Sequence, residues 1–210
     1  MTVDRETKHK KRKNEKMRSY REERLLELTR TCSEFESDYM SKKSEISIGQ
    51  HLLDYAMKRF QYLKTKADWA FNQVKNDDDL FLLLDEKSNS IAMLIRHLAG
   101  NMKSRWTDFL STDGEKPNRN RPREFDRNLK EAKKELIERW EEGWNCLFHA
   151  ISNLTPKDLL KDVYIRKKRY SVLEAIGWQL SHYSNHIGQI IFLAKHIESK
   201  SWKEFTSSWK

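Results

Sequence analysis

Two histidines in the carboxyl-terminal half of the chain, His182 and His186, are separated by three residues within a long apolar segment that has the pattern of a helix. Because four residues make about one turn of an α-helix, both imidazoles lie on the same side, close enough to hold one ion. A third histidine, His97, lies in an earlier segment with a helical pattern. Three histidines around one divalent ion, with a coordination position left open, form a centre that can catalyse reactions.

The spacing of this pair is weak evidence by itself, because the chain contains seven histidines. The pair shares one face of the predicted helix with Ala175, Trp178, Ile190, Leu193 and Ile197. We expect that face to be buried, and burying two imidazoles costs free energy unless each has a partner such as a metal ion. The alternative is two core histidines hydrogen-bonded to ordinary acceptors. His97 lies off the centre of its apolar stripe, so periodicity alone predicts an ordinary, partly buried histidine. Gly100, about one turn later, would allow another helix to approach closely.

Composition favours a mostly helical protein, because the 210 residues include only 6 Gly and 3 Pro and 35% of them are charged. Apolar periodicity predicts four long helices, at about residues 48–74, 89–110, 122–153 and 171–199. Asn89 is a candidate N-cap for the second helix, and Thr155 is expected to cap one or two further turns with Pro156 at their first position. Residues 163–169 are expected to be extended. The economical architecture is an all-α four-helix bundle with a long crossing connection.

The predicted domains are a basic extension at residues 1–47, a helical body at residues 48–202 and a tail at residues 203–210. The extension is expected to be partly disordered, with one short helix. Residues 1–24 hold ten Lys or Arg against five acidic residues. We interpret this arm as a solvated tail, with adhesion to nucleic acid or anionic lipid as the alternative. The nearly balanced charge of the body argues against a nucleic-acid partner.

Cellular location and assembly are only loosely constrained. The apolar runs are too short to cross a bilayer, and the charged amino terminus lacks the apolar core of a secretory signal. Two cysteines do not make a disulfide framework, so we expect a cytoplasmic protein that is not bound to a membrane. Seven Trp and nine Phe are many for one small bundle, and a homodimer would cover some of them.

Two stretches of the chain resemble the DinB-like (YfiT-type) superfamily of metal-binding proteins, a name that implies no polymerase activity. The first stretch, residues 88–117, contains the runs Ser88-Asn89-Ser90-Ile91-Ala92, His97-Leu98-Ala99-Gly100-Asn101 and Arg105-Trp106-Thr107-Asp108-Phe109-Leu110. The second contains Leu180-Ser181-His182-Tyr183 and His186-Ile187-Gly188-Gln189-Ile190. The resemblance covers about residues 48–202 and is to an uncharacterised branch of the superfamily.

This resemblance implies a helical bundle in which His97, His182 and His186 converge on a divalent ion, zinc or nickel. Better-known members of the superfamily use a low-molecular-weight thiol, such as bacillithiol or mycothiol, as co-substrate in S-transfer or isomerisation. The extension at residues 1–47 has no counterpart in the core of the superfamily.

The leading hypothesis is therefore a metal-dependent S-transferase or hydrolase acting on a small molecule, since a divalent ion acidifies a water or thiol in its open position. The alternatives are a non-catalytic, metal-stabilised stress-response or structural protein, and a nucleic-acid-associated protein acting through its basic arm. No catalytic residue is assigned. Asn101 and Gln189 are interpreted as plain polar helix positions, with the orientation of ligands or substrate as the alternative. Arg105 is interpreted as a salt bridge at the surface or with a loop, with contact to an anionic cofactor as the alternative. Tyr183 points about 100° away from its neighbour His182 and receives no role.

Overall fold

The structure is a computed structural model that describes residues 48–205, and within this range the chain is mostly helical. It has five α-helices: α1 (residues 48–71), α2 (Ile91–Trp106), α3 (Arg121–Glu124), α4 (Lys133–Ser152) and α5 (Val172–Ile197). A two-stranded sheet and two 3₁₀ helices complete the described elements: β1 (Asp162–Ile165), β2 (Lys168–Ser171), Asp77–Phe81 and Pro156–Asp158. The extension predicted at residues 1–47 and the last five residues of the predicted tail lie outside the described residues.

Side-chain caps fix where the two helices that carry the histidines begin. Ser90 caps α2 by accepting a hydrogen bond from the Met93 backbone N–H, one residue after the cap expected at Asn89. Ser171 and Glu174 form a reciprocal capping box at the start of α5. The expected cap at Thr155, followed by a proline in the first helical position, is confirmed and starts a 3₁₀ helix.

The prediction of a third helix over residues 122–153 was wrong in its first part, because these residues do not form one continuous helix. The short α3 ends at Glu124, and α4 begins only at Lys133. Arg96 accounts for the irregular stretch between them. Its buried guanidinium donates from Nη1 to the Leu129 carbonyl and from Nη2 to the Asp126 carbonyl, each over 2.9 Å. Carbonyl groups that would otherwise lack helical partners are thus satisfied by a side chain from α2.

Helix α2 is buried along nearly its whole length. It packs against α4, α5 and α3, and α1, α2, α4 and α5 all contribute side chains to one hydrophobic core. The close contact with α4 depends on Gly143, because a Cβ there would lie 3.0 Å from the Ala99 Cα. A helix buried on several sides has no single apolar face, so polar residues of α2 such as His97 are buried as well.

The expected extended segment is confirmed as an antiparallel hairpin in which Asp162 pairs with Ser171 and Ile165 with Lys168. Its turn residues, Arg166 and Lys167, have positive φ angles of 52° and 63°, a conformation that tight hairpins require and that bulky residues rarely adopt. Both of their backbone N–H groups donate to the Asp113 carboxylate, over 2.9 and 2.7 Å. These bonds favour the strained turn. None of the helices in the described part of the chain is long and apolar enough to cross a membrane.

Candidate metal centre

The structure brings together all three predicted ligands, His97 from α2 and His182 and His186 from α5. One nitrogen from each ring can be chosen so that all three lie within 4.8 Å of one another. The Nε2 atoms of His97 and His182 are 3.2 Å apart, and the ring centroids of His182 and His186 are 4.8 Å apart. Within the described residues this group contains no fourth histidine, cysteine or carboxylate.

The buried face of α5 differs from the predicted one. Trp178 is 64% exposed, and the buried stripe instead runs through Ala175, Gln179, Tyr183, Ile187 and Ile190. The two histidines therefore lie at the edge of the buried face and are partly buried. His97, expected to be partly buried, is only 4% exposed. All three histidines border a cavity.

His97 is held by Glu124, a residue that the sequence did not suggest. The Nδ1 atom of His97 lies 3.0 Å from Oε2 of Glu124. Arg119 donates two hydrogen bonds of 2.8 Å to the same carboxylate, from Nε to Oε1 and from Nη2 to Oε2. An ionised carboxylate only accepts hydrogen bonds, so Nδ1 of His97 carries the proton and its Nε2 presents a lone pair to the other histidines. Such carboxylate–histidine pairs commonly orient metal ligands.

Gly100 makes room for this carboxylate. The sequence suggested that Gly100 would allow two helices to approach closely, but a Cβ at this position would overlap Oε1 of Glu124. The glycine lies nearly one turn after His97, so the side of α2 next to the histidine is open to a buried acidic group. Gly100, close to the candidate ligand His97, was thus the one signal in the sequence for a buried group at this place. It did not indicate that the group is Glu124.

The electrostatic environment keeps His182 and His186 in the neutral form that binds metals. Burial, and then the neighbouring His186 and His97, lower the pKa of His182 to about 3. Burial also lowers the pKa of His186. Burial alone would raise the pKa of Glu124, but its hydrogen bonds to His97 and Arg119 outweigh this effect and hold the pKa below its usual value. Neutral imidazoles and an ionised supporting carboxylate are the states that metal coordination needs.

A cavity of about 640 Å³ borders the three histidines. Its walls come from α2, α5, the loop before α3 and the β1–β2 hairpin. Besides the histidines, its lining includes Asn101, Arg105, Arg119, Phe125, Ile165, Arg166, Lys168, Tyr170, Trp178 and Gln179. A cavity of this size admits a small molecule next to the histidine cluster.

Three positions near the cluster differ from the sequence interpretation. Tyr183 is fully buried; its hydroxyl accepts a hydrogen bond from Nε1 of Trp106 over 3.1 Å and donates one to Oδ1 of Asn101 over 3.0 Å. Asn101 is therefore a buried, bonded residue and not a plain polar helix position. Arg105, interpreted as a salt bridge at the surface or with a loop, lies 3.9 Å from the loop residue Glu115, but it is buried and lines the cavity. Gln189 is exposed.

Fold and site together define a mostly helical protein in which two helices carry a cluster of three histidines beside an open cavity. Residues 47–208 match the family described as "Protein of unknown function (DUF1572)", and the chain belongs to this family. No curated protein and no solved structure matches the chain.

Proposed function

We propose that this chain is a DinB-like metal-dependent enzyme in which His97, His182 and His186 hold a divalent ion, zinc or nickel. The observation that carries the proposal is the approach of three imidazole nitrogens to within 4.8 Å of one another, at the border of a cavity. The four-helix bundle is part of the proposal. It is supported by the shared core of the four longer helices, α1, α2, α4 and α5.

The residues present fit such an ion. Nε2 of His97 lies 3.2 Å from Nε2 of His182. Two nitrogens at this distance need either a shared proton or a shared cation between them. A third imidazole at the same point favours the cation, because imidazole is a preferred ligand of zinc and nickel.

The open cavity favours an enzyme over a structural metal site. Structural zinc is commonly closed by four protein ligands, whereas catalytic sites keep a position for water or substrate. When bound, a divalent ion acidifies a water or thiol that occupies its open position. In this protein Glu124 and Arg119 orient His97, while Phe125 and Trp178 provide apolar walls that partly exclude water. These roles suit an S-transferase or a hydrolase acting on a small molecule.

The other parts of the proposal rest on the sequence. A low-molecular-weight thiol is the co-substrate that the DinB-like resemblance implies. A homodimer and a cytoplasmic location remain predictions. The basic arm lies outside the described residues, and no observation in the described part favours nucleic acid as a partner.

The decisive measurement is the metal content of the untagged full-length protein, compared with the triple variant His97→Ala, His182→Ala, His186→Ala. We expect about one zinc or nickel ion per chain in the wild type, since the site has a single set of ligands, and almost none in the triple variant. His196→Ala is the matched control, because this exposed histidine also lies on α5. Equal metal content in the wild type and the triple variant would reject the site. If metal is present, thiols should next be screened with electrophilic small molecules.

A further inference from the structure

We infer that the cavity selects a small molecule bearing a carboxylate or phosphate group, and that Arg105 binds this anionic group while the opposite end of the molecule reaches the three histidines. The inference deepens the proposed function and rests on it, because it assigns the substrate class of the same site. It is carried by the state of Arg105, by the charge of the cavity wall and by the placement of Arg105 relative to His97.

Arg105 is buried without adequate partners. Its side chain is 6% exposed, and its nearest carboxylate oxygen, Oε2 of Glu115, lies 3.9 Å from Nη2. This separation is too long for a hydrogen bond. Its Nε and Nη1 atoms are also buried and make no hydrogen bond within the described part of the protein. Buried polar groups are nearly always satisfied, and a buried cation without acceptors costs free energy. An oxyanion in the cavity would supply the missing acceptors.

The wall of the cavity is cationic. Five basic side chains line it: Arg105, Arg119, Arg121, Arg166 and Lys168. The lining includes no carboxylate, and the two acidic residues behind it are already engaged. Glu115 is shared with Arg119 and Arg166 at 3.4 and 3.2 Å, and Glu124 is bound by Arg119 and His97. Five cations against these two carboxylates leave an excess of positive charge, and a partly enclosed cavity with such an excess attracts anionic ligands.

The placement of Arg105 sets the length of the ligand. His97, Asn101 and Arg105 follow one another at four-residue intervals along α2, and all three line the cavity. Eight residues of α-helix correspond to about 12 Å. The ligand therefore carries its anionic group several bonds away from the atom that meets the histidines.

The guanidinium is also held in place before any ligand arrives. A Cβ at Gly114 would lie 2.8 Å from Nη1 of Arg105 and 3.0 Å from its Cδ. The glycine thus allows the loop to pack directly against the arginine side chain. A preorganised guanidinium loses little conformational freedom when it binds a carboxylate or phosphate, and it offers two parallel hydrogen bonds.

The test uses full-length protein loaded with Co²⁺, whose absorption spectrum reports both metal uptake and thiolate binding. The probes are mercaptooctanoate and mercaptooctanol, which share the metal-binding thiol and the chain length and differ in the anionic end. A matching thiol phosphate distinguishes phosphate from carboxylate recognition. We expect the wild type to bind at least one anionic probe about tenfold more tightly than the alcohol, because a charge-assisted hydrogen-bond pair is gained.

Variants locate the source of this preference. Arg105→Met should abolish it while leaving cobalt uptake intact, and Arg166→Met, at an exposed position on the rim, should reduce it. Lys103→Met is the control, because this exposed cation lies on the same helix but outside the cavity. Equal affinity for the anionic and neutral probes in cobalt-loaded wild type would overturn the inference and leave the metal proposal standing. Persistence of the preference in Arg105→Met would also overturn it. If Arg105→Met does not fold, an unchanged preference in Arg166→Met would decide against it. Failure to take up cobalt at all would overturn the metal proposal itself.

Discussion

Nδ1 of His97 donates a hydrogen bond to Oε2 of Glu124 over 3.0 Å, although the two residues lie on different helices and are separated by 26 intervening positions. This bond fixes the tautomer of His97 and turns its Nε2 toward His182 and His186. Arg119 completes the arrangement by binding both carboxylate oxygens. The candidate metal centre thus depends on Arg119, in the loop before α3, and on Glu124 of α3 as much as on the two helices that carry the histidines.

The first prediction concerns this bond. Glu124→Gln should weaken cobalt binding by about tenfold, because a neutral amide orients His97 less firmly and removes the negative charge behind it. Competition with a calibrated chelator measures the change. Glu142→Gln is the control, since this carboxylate of α4 is exposed and pairs with the exposed Lys103. Equal cobalt affinities for Glu124→Gln and the wild type would show that the carboxylate has no part in metal binding.

The second prediction concerns the space beside that carboxylate. An alanine in a helix interior is intrinsically more stable than glycine by about 1 kcal/mol, but in Gly100→Ala the new Cβ would overlap Glu124. We expect a net loss of about 1–3 kcal/mol in the free energy of unfolding, together with weaker metal binding. Gly177→Ala on α5 is the matched control, because nothing lies within 4 Å of its added Cβ, and it should stabilise the protein. Urea unfolding of both variants gives the comparison. Stabilisation by both alanines would contradict the packing described here.

The third prediction is a pH dependence at the entry to the hairpin. Hydrogen bonds from Lys161 and Thr155 lower the pKa of Asp158 from 3.8 to about 2. Because the pKa is depressed in the folded state, the carboxylate stabilises the protein above pH 3.8, and this contribution is lost as the pH falls toward 2. Asp158→Asn should therefore destabilise the protein by about 1–2 kcal/mol at neutral pH and by progressively less in acid. Urea unfolding at several pH values measures the difference from wild type.

The control for that series is Asp162→Asn. Asp162 is close in sequence but exposed, and its partner Arg169 is exposed as well, so its removal should cost little at any pH. A destabilisation by Asp158→Asn that stayed constant down to pH 2 would point to lost packing and not to the charged cap.

The sequence predicted what depends on local periodicity. The spacing of His182 and His186, the cap at Thr155 and the extended segment were readable because each is set by near neighbours in the chain. The start of the third helix could not be predicted in this way. Arg96, which lies on α2, donates hydrogen bonds to the carbonyl groups of Asp126 and Leu129 and so stabilises an irregular stretch there. A long-range hydrogen bond of this kind leaves no periodic signal.

The same limit explains the misjudged site residues. Periodicity assigns one buried face to each helix, but α2 is buried on several sides. Asn101, off the apolar stripe, was therefore interpreted as a plain polar helix position although it is buried. On α5 the buried stripe is centred on Tyr183, which anchors the helix through Trp106 and Asn101. The histidines consequently fall at the edge of that stripe, where they can face a cavity.

The last prediction separates the anion subsite from the metal centre. In Gly114→Ala the added Cβ would come within 2.8 Å of Nη1 of Arg105, so the guanidinium must move. The loop should keep its position, because the backbone N–H of residue 114 still donates to the Tyr164 carbonyl, over 2.7 Å in the wild type. We expect cobalt binding to be unchanged and the preference for mercaptooctanoate over mercaptooctanol to fall several-fold, because productive contacts with the anion tolerate only small displacements. The cobalt titration described above measures both quantities on one sample, with Gly177→Ala as the control. An undiminished preference in Gly114→Ala would mean that Arg105 binds the anion without being held by the loop.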